Sequence, residues 1–171
     1  MWAHPNGLPN DAAHTTARDL GVLTRAALTE YPEYAGLFSI SAIRHGKRVL
    51  RSHNLLLDRY PGAIGMKTGF ICASGFNLVA ASKRGGRTLV AVVLGARSGL
   101  ERAAIAKSLL DDGFSQRSLF GGGSVRTTIN TLGADQAAAG PYDMRETVCG
   151  KNRVRPSIED LVEDEATPTM A

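Results

Sequence analysis

Two apolar runs, FNLVAAS from Phe76 to Ser82 and TLVAVVLG from Thr88 to Gly95, stand either side of Lys83-Arg84-Gly85-Gly86-Arg87. Runs of this length, bounded by turn residues, read as strands, and a Gly-Gly pair supplies the positive φ that a tight hairpin needs. Nearly every position in both strands is apolar, so both faces of the sheet need cover. A helix is the natural cover, and one follows. Ser98 and Glu101 have capping-box spacing, Leu100, Ala103, Ala106 and Leu110 lie along one side, and Gly113 is placed to stop it.

A third strand precedes this hairpin. Ile64 and Met66 run into Lys67-Thr68-Gly69, and Ser74-Gly75 breaks the chain before Phe76. The tripeptide has a definite chemistry. Lys67 offers a cation and Thr68 a hydroxyl, a pair suited to holding a carboxylate. Gly69 removes a side chain where a ligand backbone has to come close. An open strand edge pairs with an extended peptide, and the Phe70 N–H is then a candidate oxyanion donor. Three residues alone also describe an edge-strand lysine beside a turn.

Upstream, Thr16 and Asp19 resemble a capping box. Leu20, Leu23 and Ala27 follow at helical spacing, and Pro32 lies beyond the helix end. Leu37 to Leu50 alternates loosely and turns at His45-Gly46-Lys47, a hairpin. Its cations Arg44, Lys47, Arg48 and Arg51 read as a solvated face. Residues 1–114 carry 14 Lys and Arg against 8 Asp and Glu, and residues 115–171 carry 6 against 8. A basic body suits anionic polymers, but no nucleic-acid motif accompanies the charge, and no nucleic-acid partner is expected. No apolar run reaches the ~20 residues of a membrane span. The N-terminus shows no basic region followed by an apolar one, so no signal peptide is read.

With its flanks, Y-P-G-x-x-G-x-K-T-G followed by S-G-F-N-L-V-A-A-S, a basic Gly-Gly turn and T-L-V-A-V-V-L-G, the segment resembles the serine D-Ala-D-Ala carboxypeptidases. These are low-molecular-weight penicillin-binding proteins whose third signature is K-T-G. The resemblance covers roughly His4 to Phe114. Pro5-Asn6-Gly7-Leu8 is similar to the family's N-P-x-G-L loop, with His4 replacing the Asn. His14-Thr15-Thr16-Ala17-Arg18-Asp19 is similar to its T-A-R-D helix opening, which makes Arg18 and Asp19 structural.

The resemblance implies a β-lactamase/transpeptidase-like α/β fold, an antiparallel sheet with packed helices, lacking its N-terminal and all-helical parts. Residues 1–114 would be the C-terminal portion of the catalytic domain. Residues 115–171, with Gly121-Gly122-Gly123-Ser124 and an acidic end, would be a linker and a largely disordered tail. It implies acyl transfer at peptidoglycan peptides ending in D-Ala-D-Ala, with β-lactams as further ligands, in the periplasm and without metal or organic cofactor. Lys67 would serve the catalytic relay and, with Thr68, the substrate carboxylate; Gly69 would give clearance and Phe70 an oxyanion donor.

The family's nucleophile is the serine of S-x-x-K. The five lysines, Lys47, Lys67, Lys83, Lys107 and Lys151, follow Arg44, Ile64, Ala80, Ala104 and Val148 at that distance, so the chain contains no such motif. In its S-x-N, Ser52-His53-Asn54, only twelve residues separate Asn54 from Lys67, whereas the family's second signature lies far upstream. His53-Asn54-Leu55-Leu56 instead resembles the segment leading into the K-T-G strand. The expectation is a C-terminal part of the enzyme without activity of its own, the alternative a non-catalytic cell-wall or β-lactam binding module. A periplasmic setting allows Cys72 and Cys149 to form a disulfide tying the tail to the sheet; two free thiols are the other possibility.

Overall fold

The computed structural model describes residues 3, 5–116, 129, 140–151, 153 and 156. His4, the Gly121–Ser124 linker and the acidic C-terminal stretch lie outside them. The sheet is an antiparallel meander of β3 (Ala63–Ile71), β4 (Gly75–Arg84) and β5 (Arg87–Ala96), in that order. Gly85 and Gly86 take φ of 53° and 78°, the positive values of a two-residue hairpin turn.

Helix α3 (Gly99–Ser115) covers one face. Antiparallel partners share a face, so the pairs Leu78↔Val93 and Ala80↔Ala91 present their side chains together. With Leu56, Tyr60, Ala103, Ala106 and Leu110 they form the core. Ser98 Oγ caps α3 by accepting the Glu101 N–H at 3.0 Å. The Glu101 carboxylate turns to Arg97, taking its Nε at 2.8 Å and its backbone N–H. Two details of the expected helix differ. Leu100 is 44% exposed, because the buried stripe begins only at Glu101–Ala103. Gly113 lies inside the last turn, where a Cβ would come within 2.8 Å of Leu89 Cδ1; it is a close-approach residue and not a stop signal.

Helix α1 (Ala17–Glu30) begins as expected, with Thr16 Oγ1 accepting the Asp19 N–H at 3.1 Å. Arg18 Nε donates to the Ile129 carbonyl at 3.0 Å. The helix contacts β5 and β4, yet its buried residues are Gly21 and Thr24, and Leu23 is 52% exposed. The buried positions are small, with Gly21 set against Ile129; of the expected stripe Leu20 and Ala27 are half-buried and Leu23 faces outward. Leu37 and Phe38 are helical, in α2 (Ala35–Phe38), and the hairpin starts later, as β1 (Ala42–His45) and β2 (Arg48–Arg51). Arg44, Lys47, Arg48 and Arg51 are exposed, as a solvated face requires.

Cover on the second face of the sheet is incomplete: Val90 and Leu94 remain 36% and 40% exposed, and β5 has no strand on its outer edge among the described residues. Cys72 and Cys149 form a disulfide spanning 77 positions. It fastens a short helix, α4 (Arg145–Cys149), within the stretch read above as linker and tail. No helix among the described residues is long and apolar enough to cross a membrane.

Candidate functional site

Strand β3 is an edge strand, with β4 on one side and no strand on the other among the described residues. The first part of that open edge is occupied by α2. Ser39 Oγ donates to the Ile64 carbonyl at 3.2 Å, and a Cβ on Gly65 would overlap the Phe38 carbonyl. From Lys67 onward the strand borders a groove of about 620 Å³. Lys67, Thr68, Gly69 and Phe70 all line it, so the four residues singled out from sequence are brought together. Pro9 lines it as well, and so does Gly7 of the turn matched to N-P-x-G-L.

The Lys67 ammonium donates to the Thr68 carbonyl and is exposed. It therefore presents a cation at the groove with no acidic partner among the described residues. A Cβ on Gly69 would meet nothing within 4 Å, so the groove has room over that residue. Phe70 and its cross-strand partner Phe76 stack with centroids 4.1 Å apart, giving the groove an apolar end.

Three polar residues that also border the groove, Arg102, Asn77 and Ser74, were not singled out by sequence. Arg102 of α3 is 5% exposed and holds three carbonyls, those of His53 at 2.8 Å, Asn77 at 3.2 Å and Gly69 at 3.5 Å. One guanidinium thus ties the helix, the preceding loop and both hairpin strands together behind the Lys-Thr-Gly backbone. Burial lowers its pKa from the ordinary arginine value, and the carbonyl oxygens supply the compensating hydrogen bonds. A capped helix with arginine one turn in is too common a pattern to mark as a site.

Asn77 sits opposite a bulge, where Leu94 and Gly95 of β5 stand against one residue of β4. Its Oδ1 takes the Gly95 N–H at 3.0 Å, and its Nδ2 donates to Ser74 Oγ and the Gly75 carbonyl, both at 3.0 Å. Ser74 and Asn77 border the groove. Asn54 does not: it is buried, with Oδ1 accepting the Leu56 N–H at 3.1 Å, a local turn that fits its reading as part of the approach to β3.

At the far end of the sheet, Arg84 is sandwiched between the rings of Tyr60 and Phe114, at 4.3 and 4.5 Å. Tyr60 OH donates to Asp111 Oδ1 at 2.7 Å. Burial and that bond push the phenol up to about 12. Burial also raises the Asp111 carboxyl, but the bonds from Tyr60 and Lys107 outweigh it and hold it below the ordinary 3.8. This cluster clamps the sheet to α3 away from the groove.

The sequence matches the family described as D-alanyl-D-alanine carboxypeptidase over residues 1–98. The D-alanyl-D-alanine carboxypeptidase DacD of Salmonella typhimurium is 37% identical over 109 residues, 63% of this chain and 28% of that protein. DacA of Escherichia coli is 32% identical over 110 residues, 64% and 27% of the two chains. The chain thus spans little more than a quarter of the length of these curated relatives. Penicillin binding protein 5 from Haemophilus influenzae superposes with a TM-score of 0.62 at 29% identity, over 67% of this chain and 34% of its own. A Listeria monocytogenes penicillin-binding protein in its ampicillin-bound form gives 0.57 at 30% identity, over 63% and 46%. The antiparallel sheet with its packed helices is part of that same fold.

Proposed function

Because this chain belongs to the D-alanyl-D-alanine carboxypeptidase family, we propose that its groove is the carboxylate-binding wall of such an enzyme. The ligand is a peptidoglycan peptide ending in D-Ala-D-Ala, or a β-lactam in its place, on the cell-wall side of the membrane. The observation that carries this reading is the placing of Lys67 and Thr68 on an open strand edge that borders the groove. Lys67 Nζ and the Thr68 hydroxyl hold the terminal carboxylate by charge-assisted hydrogen bonds. The peptide lies along β3 as an added strand, over the space left by Gly69. The Phe70 N–H donates to the carbonyl oxygen as negative charge develops on it. Arg102 keeps this backbone fixed, so that little reorganisation is needed on binding.

The acylation step belongs to a serine of S-x-x-K, which these 171 residues do not contain. Loss of a catalytic nucleophile costs on the order of a millionfold in turnover even where binding groups remain. The residues present therefore bind and orient, and do not acylate on their own. Incubation with a fluorescent penicillin, followed by a denaturing gel and intact mass, is expected to give no covalent label. Titration with an N-acylated D-Ala-D-Ala peptide, followed by NMR, is expected to move the amides of Lys67 to Phe70. A stoichiometric penicillin adduct would overturn the first statement, and unmoved amides at millimolar peptide the second. The missing S-x-x-K also favours a second reading, a cell-wall binding module. DNA flanking the coding region separates the two, since S-x-x-K and S-x-N codons there belong to an enzyme.

A further inference from the structure

One end of the groove is fastened from outside by a segment far along the chain. Cys149 is bonded to Cys72, directly after β3, and the Met144 N–H donates to the Ala73 carbonyl at 2.9 Å. Met144 and Val148 are buried, and Met144 Sδ lies 3.8 Å from where a Cβ on Gly95 would stand. Gly95 is the residue whose N–H Asn77 holds, and Asn77 in turn holds Ser74. Residues 140–151 therefore press on both ends of the hydrogen-bonded chain Ser74–Asn77–Gly95 that borders the groove.

We propose that residues 140–151 are a positioning strap whose grip is set by the redox state of Cys72–Cys149. With the bridge formed, the strap holds the β3–β4 turn, and Ser74 and Asn77 with it, in the ligand-receiving arrangement. A dithiol reductant passes two electrons and two protons to the bridge. The products are two cysteine thiols and the oxidised dithiol. Cys149 is exposed and Cys72 half-buried, so the bridge is open to attack. Among the described residues two buried side chains and one backbone hydrogen bond attach the segment, a small hold for twelve residues whose backbone has to be ordered, so the covalent link decides whether it stays. The strap rests on the proposed groove only in what it does to ligand binding.

Hydrogen exchange on the full chain, oxidised and after reduction with dithiothreitol, tests this without any ligand. Once two thiols per chain are titrated, exchange over residues 70–78 and 140–151 is expected to rise tenfold or more, with residues 90–110 unchanged. Cys149→Ser is expected to show the same pattern without reductant. D-Ala-D-Ala peptide binding is expected to weaken about tenfold on reduction, the effect of some 1.4 kcal/mol. Unchanged exchange over 70–78 after complete reduction overturns the strap. Uniform acceleration that includes 90–110 overturns it too, since the bridge is then a general staple. If exchange responds but the peptide binds in neither state, the strap stands and the carboxylate-groove reading falls.

Discussion

Strands β3 and β4 run side by side in near-continuous register, yet Leu78 to Ser82 are buried while Lys67 to Ile71 are half-buried or exposed. The difference comes from position in the sheet. β4 has a strand on each side and α3 over one face, so each side chain is judged by how it packs. Among the described residues β3 has one strand neighbour, and from Lys67 onward its other edge is left without a strand, open in the proposed reading to a ligand. The same hairpin thus holds a strand selected for volume beside one selected for chemistry. Substitutions in the two should separate stability from binding.

The largest effect is expected from Leu78→Ala, which removes a fully buried side chain between the sheet and α3. Such a cavity costs about 2–5 kcal/mol, read as a lowered melting temperature. A melting point within a degree of the parent would mean that β4 is not the core strand described here. A smaller loss is expected at the start of α3. Burial raises the Glu101 carboxyl, but side-chain and backbone hydrogen bonds from Arg97 outweigh it, leaving it below its ordinary 4.5. A depressed carboxylate contributes stability above its unfolded pKa and loses it as pH falls through the folded value. Glu101→Gln is expected to cost about 1–3 kcal/mol at pH 7 and to flatten the decline below pH 4.5. Urea denaturation at pH 7 and pH 3 compares the two; parallel curves for parent and variant would remove Glu101 from the account.

The smallest effect on stability belongs to the groove. Lys67→Ala is expected to shift unfolding by no more than about 0.5 kcal/mol, as for other exposed positions. Binding of a D-Ala-D-Ala peptide is expected to fall tenfold or more, since a charge-assisted bond is worth about 1.5–3 kcal/mol. If Lys67→Ala destabilises as much as Leu78→Ala, the contrast between the strands is false.

Much of the wall was legible in the sequence because its signals are local. The Gly85-Gly86 turn, the apolar runs beside it and the Ser98 cap each act within a few residues, and the observed strands extend the expected ones by one or two positions. What was not legible depends on contacts distant in sequence. Leu23 has core spacing but faces outward, because the buried positions of α1 are Gly21 and Thr24. Arg102 is a neighbour of the Lys-Thr-Gly backbone only after α3 has packed, and Asn77, opposite Gly69 in the β3–β4 pair, gains its bond from Gly95 only once β5 is in place. Bridge or two free thiols stayed open in the sequence because only the fold brings Cys149 beside the β3–β4 turn, and α4 has too short an apolar pattern to announce itself.

The order of β3, β4, β5 and α3 along the chain sets an order of manufacture. Each packs on an element already made, and short loops close quickly. A chain that has emerged as far as Ser115 presents all the strands and the helix of the wall, while Cys149, 77 positions after Cys72, emerges later. During that interval Cys72 is a lone thiol beside a wall that its strap has yet to reach. The bridge therefore forms after the strands it ties, and a chain interrupted before Cys149 carries Lys67 to Phe70 without the strap.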